Sequence, residues 1–209
     1  MTQQIRDVVV YDGKGLTPYF PEDEPDAFVP SLYGINPARG TCSTACWRAY
    51  RIIYKIKENQ LFLKDFYACL YRDGKGYEGP RLNKESPRYA PDGERRFDLN
   101  FNNHYSLNFP LDYTGSMVIG QGLSMNPLLP DSLTADFFRE YIGAIGSRWC
   151  HEDKYVQRFR FEKGRVVQHE DLSELNARYR EEINAKQKGR QNDLMEQLRE
   201  KLTFPNSTD

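Results

Sequence analysis

The sequence has almost no excess charge of either sign: 29 Lys and Arg stand against 30 Asp and Glu, a formal net charge of -1. The global basic field that marks proteins holding nucleic acid or an anionic membrane is therefore missing. No apolar run approaches the ~20 residues that a membrane-spanning helix requires. The first residues, MTQQIRDVVVYDG, lack a basic start leading into an apolar core and a small-residue cleavage site. A cytoplasmic protein is expected on that ground. Cysteine is sparse, with Cys42, Cys46, Cys69 and Cys150. A chain of 209 residues can bury a core without disulfide staples, so reduced and mostly buried thiols are expected. Histidine is sparser still, at three.

Aromatic residues are plentiful: 14 Tyr and 12 Phe help bring the aromatic share to 13%. They suit pleated, half-buried surfaces, which tilts the fold towards β structure. The strongest signal is Thr41 to Leu70. Two runs rich in aromatic and β-branched residues, Ala45 to Ile56 and Leu61 to Leu70, flank the polar break Lys57-Glu58-Asn59-Gln60 and read as a hairpin. Period-two alternation puts Cys46, Arg48, Tyr50, Ile52, Tyr54 and Ile56 on its core face. Arg48 is the misfit there, because a guanidinium among aromatics must stack, pair or reach solvent.

Around the hairpin, Ile5 to Tyr11 reads as a strand ended by Asp12-Gly13. Leu16 to Pro37, with five prolines, reads as an irregular arm pinned by Phe20, Phe28, Leu32 and Tyr33. Arg72 to Arg96 is a long charged loop of the kind that is functional or disordered. Phe97 to Phe101 and Tyr105 to Phe109 alternate as strands joined at Asn102-Asn103-His104, and Tyr113 to Gln121 is a further strand. Ser132 to Ile145 begins as a short helix. Tyr155 to Phe161 and Arg165 to His169 form a last hairpin about Glu162-Lys163-Gly164. From Asp171 the pattern turns helical, opened by the capping-box-like Asp171-Leu-Ser-Glu174.

Chemistry is harder to find. Cys42 and Cys46 have a spacing that zinc accepts, but neighbouring Cys150 and His151 would point to opposite faces of a strand. No cysteine has a local histidine signature, with His104, His151 and His169 all remote in sequence. Asp98, Asp112 and Glu140, with His104, are the acids to test for convergence. Gly74 to Gly76 and Gly115 to Gly122 match neither a P-loop nor a dinucleotide fingerprint. Arg48 and Arg51 interleaved with Tyr50 and Tyr54 resemble a single-strand binder, yet core on one face and solvent on the other explains them equally. The sequence yields no catalytic residue, metal or cofactor.

The stretch Cys42-Ser-Thr-Ala-Cys-Trp-Arg-Ala-Tyr50 resembles the "STACWRGY" segment of a group of uncharacterised bacterial proteins, many of them cyanobacterial. Phe109 to Gly122, Glu140 to Ser147 and Phe159 to Val167 are similar to that group's later pattern, with its "FENG"-like turn at Phe161-Glu162-Lys163-Gly164. Ala49 stands where the group has Gly, which relaxes a demand for close backbone approach. The resemblance implies a bacterial, β-rich, non-enzymatic domain.

The expected architecture is α+β: a predominantly antiparallel curved sheet or partly closed barrel over 1–169, then a charged helical tail over 170–209. The leading expectation for function is a protein-binding module that docks through the 72–96 loop and the 171–203 helices, an accessory or immunity protein of a bacterial conflict or defence system. Nucleic acid is the weaker partner class, and no membrane is expected. The alternatives are a small-ligand barrel with Trp47, Tyr50, Tyr105 and Tyr141 as walls, and a hydrolase or nuclease with carboxylates from separate strands. Candidate binding residues are Trp47, Arg48, Tyr50, Arg81, Arg88, Tyr105 and Tyr141.

Overall fold

Five two-residue turns punctuate the described residues. Asp12-Gly13, Glu58-Asn59, Asp73-Gly74, Asn83-Lys84 and Lys163-Gly164 all have positive φ at both positions. That is the requirement of the type I′ turn, whose twist matches that of the strands it joins. The computed structural model describes residues 5–20, 26–39, 46–92, 101–121 and 155–178, with Glu181 and Ala185 beyond them.

Eleven strands lie among the described residues: β1 (Val8–Tyr11), β2 (Lys14–Tyr19), β3 (Tyr50–Lys57), β4 (Gln60–Ala68), β5 (Tyr71–Arg72), β6 (Lys75–Gly76), β7 (Arg88–Tyr89), β8 (Asn103–Pro110), β9 (Gly115–Gly120), β10 (Val156–Glu162) and β11 (Arg165–Asp171). A 3-10 turn occupies Pro30–Tyr33, and a helix begins at residue 173. Asp171 opens that helix by accepting a hydrogen bond from the Ser173 amide at 2.9 Å.

Strands β11, β10, β9, β2, β1, β3 and β4 lie side by side in that order, and β4 meets β11 again to close a seven-stranded barrel. Strands β8 and β7 continue outward from β4, and β5 and β6 form a separate small ribbon. The expected α+β architecture with a helical appendage holds. It is fully closed, and it is mixed because β1 runs parallel to β3. Closure rests on few bonds. Leu61 donates its amide to Gly164 O at 2.9 Å and Val166 to Asn59 O at 2.9 Å, while Gly164 donates to Tyr113 O at 2.7 Å. A Cβ on Gly164 would lie 1.8 Å from Leu111 O, and its φ is +77°. Only glycine fits at that seam.

The barrel is filled from within. Ile52, Tyr54 and Ile56 of β3, Leu61, Leu63 and Phe66 of β4, and Phe159 and Phe161 of β10 are all buried in one core cluster. Period-two alternation along β3 therefore places the expected face inward. Of the residues expected to pin the Pro-rich arm, Phe28 is buried and stacks with Tyr33, and Phe20 meets Tyr54 and Tyr113 edge-on. Leu32 is 81% exposed and pins nothing.

Several expectations need correction. β2 runs through Pro18, where an irregular arm was expected. Pro18 lies beyond the stretch that pairs with β1, so β2 has one ladder partner there, β9, and behaves as an edge. β3 begins at Tyr50, not Ala45, because Ala49 takes a left-handed φ of 58°. The face-sharing of Cys46 and Arg48 with Tyr50 therefore does not follow from alternation. Nor is the demand on position 49 relaxed: it is a conformation that glycine adopts more easily than alanine. Cys69 is disulfide-bonded rather than reduced. The expected strand Phe97 to Phe101, apart from Phe101, which is buried outside any strand, and the helix expected at 132–145 lie outside the described residues.

Candidate functional site

Arg48 follows the turn that leads into β3, and its side chain does three things at once. Its guanidinium donates to both Asp7 oxygens, at 2.8 and 3.1 Å, and lies over the Tyr50 ring at 4.6 Å from the centroid. Its side chain is still 42% exposed, against 10% for Asp7. The Asp7 carboxylate, just before β1, also accepts from the Ile52 amide at 2.8 Å. The bidentate pair thus ties the start of β1 to the start of β3 by charge-assisted bonds. The Asp7 charge holds the guanidinium protonated more firmly than usual against the opposing effect of burial.

This pair lines an open cleft of about 410 Å³ on the barrel rim, with Ile5, Arg6, Thr17, Pro18, Tyr19, Phe20 and Asp26. Burial raises the Asp26 carboxyl above its ordinary 3.8, Arg48 pulls it down and Asp7 pushes it up. Arg6 donates to the Tyr19 hydroxyl at 3.3 Å. Cys46, nearby in sequence, is a buried free thiol that donates to Tyr50 O at 3.3 Å, and burial raises it. It makes a poor nucleophile there.

The second polar assembly holds the 72–92 loop. Asn102 and Asn103, at the head of β8, are both fully buried. The Asn102 side chain accepts from the Leu70 amide and donates to Leu70 O, each at 2.9 Å. Asn103 accepts from Gly79 N at 2.8 Å and donates to Tyr77 O at 3.0 Å and to Asn102 Oδ1 at 2.8 Å. The two amides thus extend the short β5–β6 and β7–β8 ladders, each using donor and acceptor together. The Tyr105 hydroxyl donates to Pro80 O at 3.0 Å, and a Cβ on Gly79 would lie 2.1 Å from that hydroxyl. Tyr89 donates to Gly76 O at 2.7 Å, and Asp92 accepts from Gly76 N at 2.9 Å. Residues 72–92 are an ordered excursion, not a solvated coil.

A third cluster sits on β4 and β8. His104 Nε2 meets Asp65 Oδ1 at 2.9 Å, and its ring stacks on Tyr67 at 4.3 Å and 2°. Asp65 was not singled out from the sequence. Asp112, one of the acids to be tested with His104, is exposed, and Asp98 and Glu140 lie outside the described residues.

The candidate residues separate. Arg48 and Tyr50 come together. Trp47 is 67% exposed beside them in sequence. Arg81 and Arg88 stand exposed on the 72–92 excursion. Tyr105 is fully buried and packs on Phe66 with centroids 5.6 Å apart, a place in the core and not on the wall of a mouth. Burial raises its hydroxyl well above the ordinary tyrosine value. Tyr141, with Cys42, Cys150 and His151, lies outside the described residues. Among the described residues no group of three or more metal-ligating side chains gathers. Sequence reasoning missed Asp7, Asp26, Asn102 and Asn103. The demand that Arg48 find a partner was the one signal that could have led to Asp7. No helix among the described residues is long and apolar enough to cross a membrane. No protein-family model matches the chain, and no curated protein or solved structure is detectably similar to it.

Proposed function

We propose that this protein is a docking module for another protein, and that its contact surface is the 72–92 excursion. The observation that carries this reading is the buried Asn102–Asn103 pair. It fixes the backbone of a long charged segment from beneath while leaving Arg72, Lys75, Arg81, Lys84 and Arg88 exposed. A frame ordered before contact loses little conformational entropy on binding, so its charged side chains can be read by a complementary partner. The packed barrel serves as scaffold: Tyr54, Phe66 and Tyr105 fill space that an internal ligand site would need. The charged tail from residue 171 is the second contact element in this reading.

An accessory or immunity role in a bacterial conflict system is the setting we favour, on the resemblance and on the small size of the chain. The disulfide at Cys69 supports an oxidising compartment over the cytoplasm expected from the sequence. The test is affinity capture with the full chain beside the variant Arg81→Glu/Arg88→Glu. The reading requires a protein retained by the first and lost with the second, the variant remaining folded by circular dichroism. A partner held equally by both, or none captured by either, removes it.

A further inference from the structure

Strand β8 is paired along only part of its outer side. In an antiparallel ladder successive residues send their N–H and C=O groups to opposite sides. Just before β8, Asn102 O accepts from the Ala90 amide, and Arg88 lies opposite His104, so even-numbered residues face β7. Just after it, the Leu111 amide donates to Leu61 O, so odd-numbered residues face β4. The β7 ladder reaches no further than His104. Ser106, Asn108 and Pro110 therefore present main-chain groups outward, with no strand beside them among the described residues. Burial alternates unbroken along the same stretch: Tyr105 and Leu107 are buried, while Ser106, Asn108 and Pro110 are exposed. The inner face of this edge is apolar. Phe109 is half-buried, and the Tyr33 ring, itself 40% exposed, stands edge-on to it with centroids 6.2 Å apart.

An edge of this kind pairs with another strand unless charge, proline or a covering segment guards it. From Tyr105 to Pro110 no residue is charged, and the one guard, Pro110, stands at the end. We propose that the β8 edge pairs antiparallel with the β8 edge of a second copy of this chain, about a two-fold axis at Asn108. Asn108 then exchanges main-chain bonds with Asn108 of the second copy, and Ser106 donates to the carbonyl of Pro110 of the second copy. Pro110 has no N–H to give, so the shared ladder ends there. A two-fold contact sets each stretch against itself, which a charged edge resists and this uncharged one does not. The formal net charge of -1 adds little repulsion between copies. On the inner face the apolar rims meet across the axis, so Phe109 and Tyr33 of both copies leave water together. The inference does not rest on the 72–92 docking surface.

The experiment is analytical ultracentrifugation of the full chain from about 1 µM to about 1 mM, with amide hydrogen exchange read at both ends of that range. The weight-average mass should rise from 24.5 kDa towards twice that value. The amides of Ser106 and Asn108 should gain protection only at high concentration. Those of Tyr105 and Phe109, which face β4, should stay protected throughout. Asn108→Pro removes the central donor without touching a β4 bond, and should weaken dimerisation by about tenfold or more, as the loss of two main-chain bonds does. Asn108→Lys makes the same test with the backbone intact, because it sets two ammonium groups against each other at the axis. Each variant is checked for an unchanged fold by circular dichroism at low concentration. A chain that stays monomeric up to about 1 mM overturns the proposal. So does a dimer whose Ser106 and Asn108 amides exchange alike at both ends of the range, or one that Asn108→Lys leaves at full strength.

Discussion

The barrel carries two polar assemblies that solve the same problem with different chemistry. The asparagine pair at the head of β8 is uncharged, fully buried and bonded on both its donor and acceptor sides. The Asp7–Arg48 pair is charged, half open to water and shared with a cleft. The first fixes a loop whose own ladders, the β5–β6 ribbon and β7 on β8, are each only two residues long. The second joins two strand starts that β-pairing already holds through Val8 and Ile53. A buried amide replaces backbone structure and has nowhere to go when its partner is lost. A rim ion pair supplements existing structure and can fall back on water. Neutral and sealed therefore means structural here, and charged and open means available for contact.

The comparison breaks first at Asn102. Asn102→Leu leaves the buried Leu70 amide unpaired, at about 1–3 kcal/mol, and removes the Asn102 bonds to Leu70 O, which keeps the Tyr77 amide at 3.2 Å, and from Asn103, at about 1 kcal/mol each. Urea unfolding should show a loss of about 3 kcal/mol or more, with 72–92 becoming a protease target in the variant. A loss below about 1 kcal/mol would mean water or rearrangement satisfies Leu70 just as well, and the asparagines are not the loop's anchor. Arg48→Met should cost less, about 2 kcal/mol, because the Asp7 carboxylate left behind still accepts from the Ile52 amide. Asp7→Ala combined with Arg48→Met should fall short of the sum of the single losses by about 1 kcal/mol, the coupling of a close charge pair. An additive pair would show that the bidentate geometry carries no energy.

How much of this was legible beforehand depends on the range of the interaction. The β3–β4 hairpin, the turn at Asp12-Gly13 and the inward face of β3 could be read, because type I′ turns and period-two alternation are local. The parallel pairing of β1 with β3 could not, since nothing in Val8 to Tyr11 names a neighbour more than forty residues away. β2 was hidden by Pro18, whose position beyond the β1 overlap becomes visible only once the register is known. The charged composition of 72–92 signals disorder correctly as a local property. Two asparagines ten or more residues downstream overrule it. In the cleft, Arg48 announced its need for a partner, and Asp7, 41 positions earlier, is joined to it only by the fold.

Tyr105 sharpens the contrast from the structural side. Tyr105→Phe deletes the hydroxyl that donates to Pro80 O and props the close approach of Gly79, while the ring keeps its place on Phe66. A loss of about 1 kcal/mol is expected, the net worth of one hydrogen bond. Faster amide exchange at Gly79 to Leu82 should accompany it, with β3 unchanged. If exchange rises evenly over the whole barrel, Tyr105 supports the core and not the loop.

The smallest effect belongs to Asp26, and its sign is the informative part. A carboxyl whose folded value is raised above its ordinary 3.8 holds its proton more tightly in the folded chain than in the unfolded one. Stability therefore falls as pH rises from about 3.8 through the raised value, and stays lower beyond it. Asp26→Asn removes that loss. Its thermal midpoint should match the parent's near the acidic end of the range and exceed it slightly at neutral pH, where exposure to solvent keeps the gain small. A deficit at neutral pH would mean that Arg48 stabilises the ionised carboxylate by more than burial opposes it, and Asp26 would then belong with the Asp7–Arg48 pair as the third member of one rim charge network.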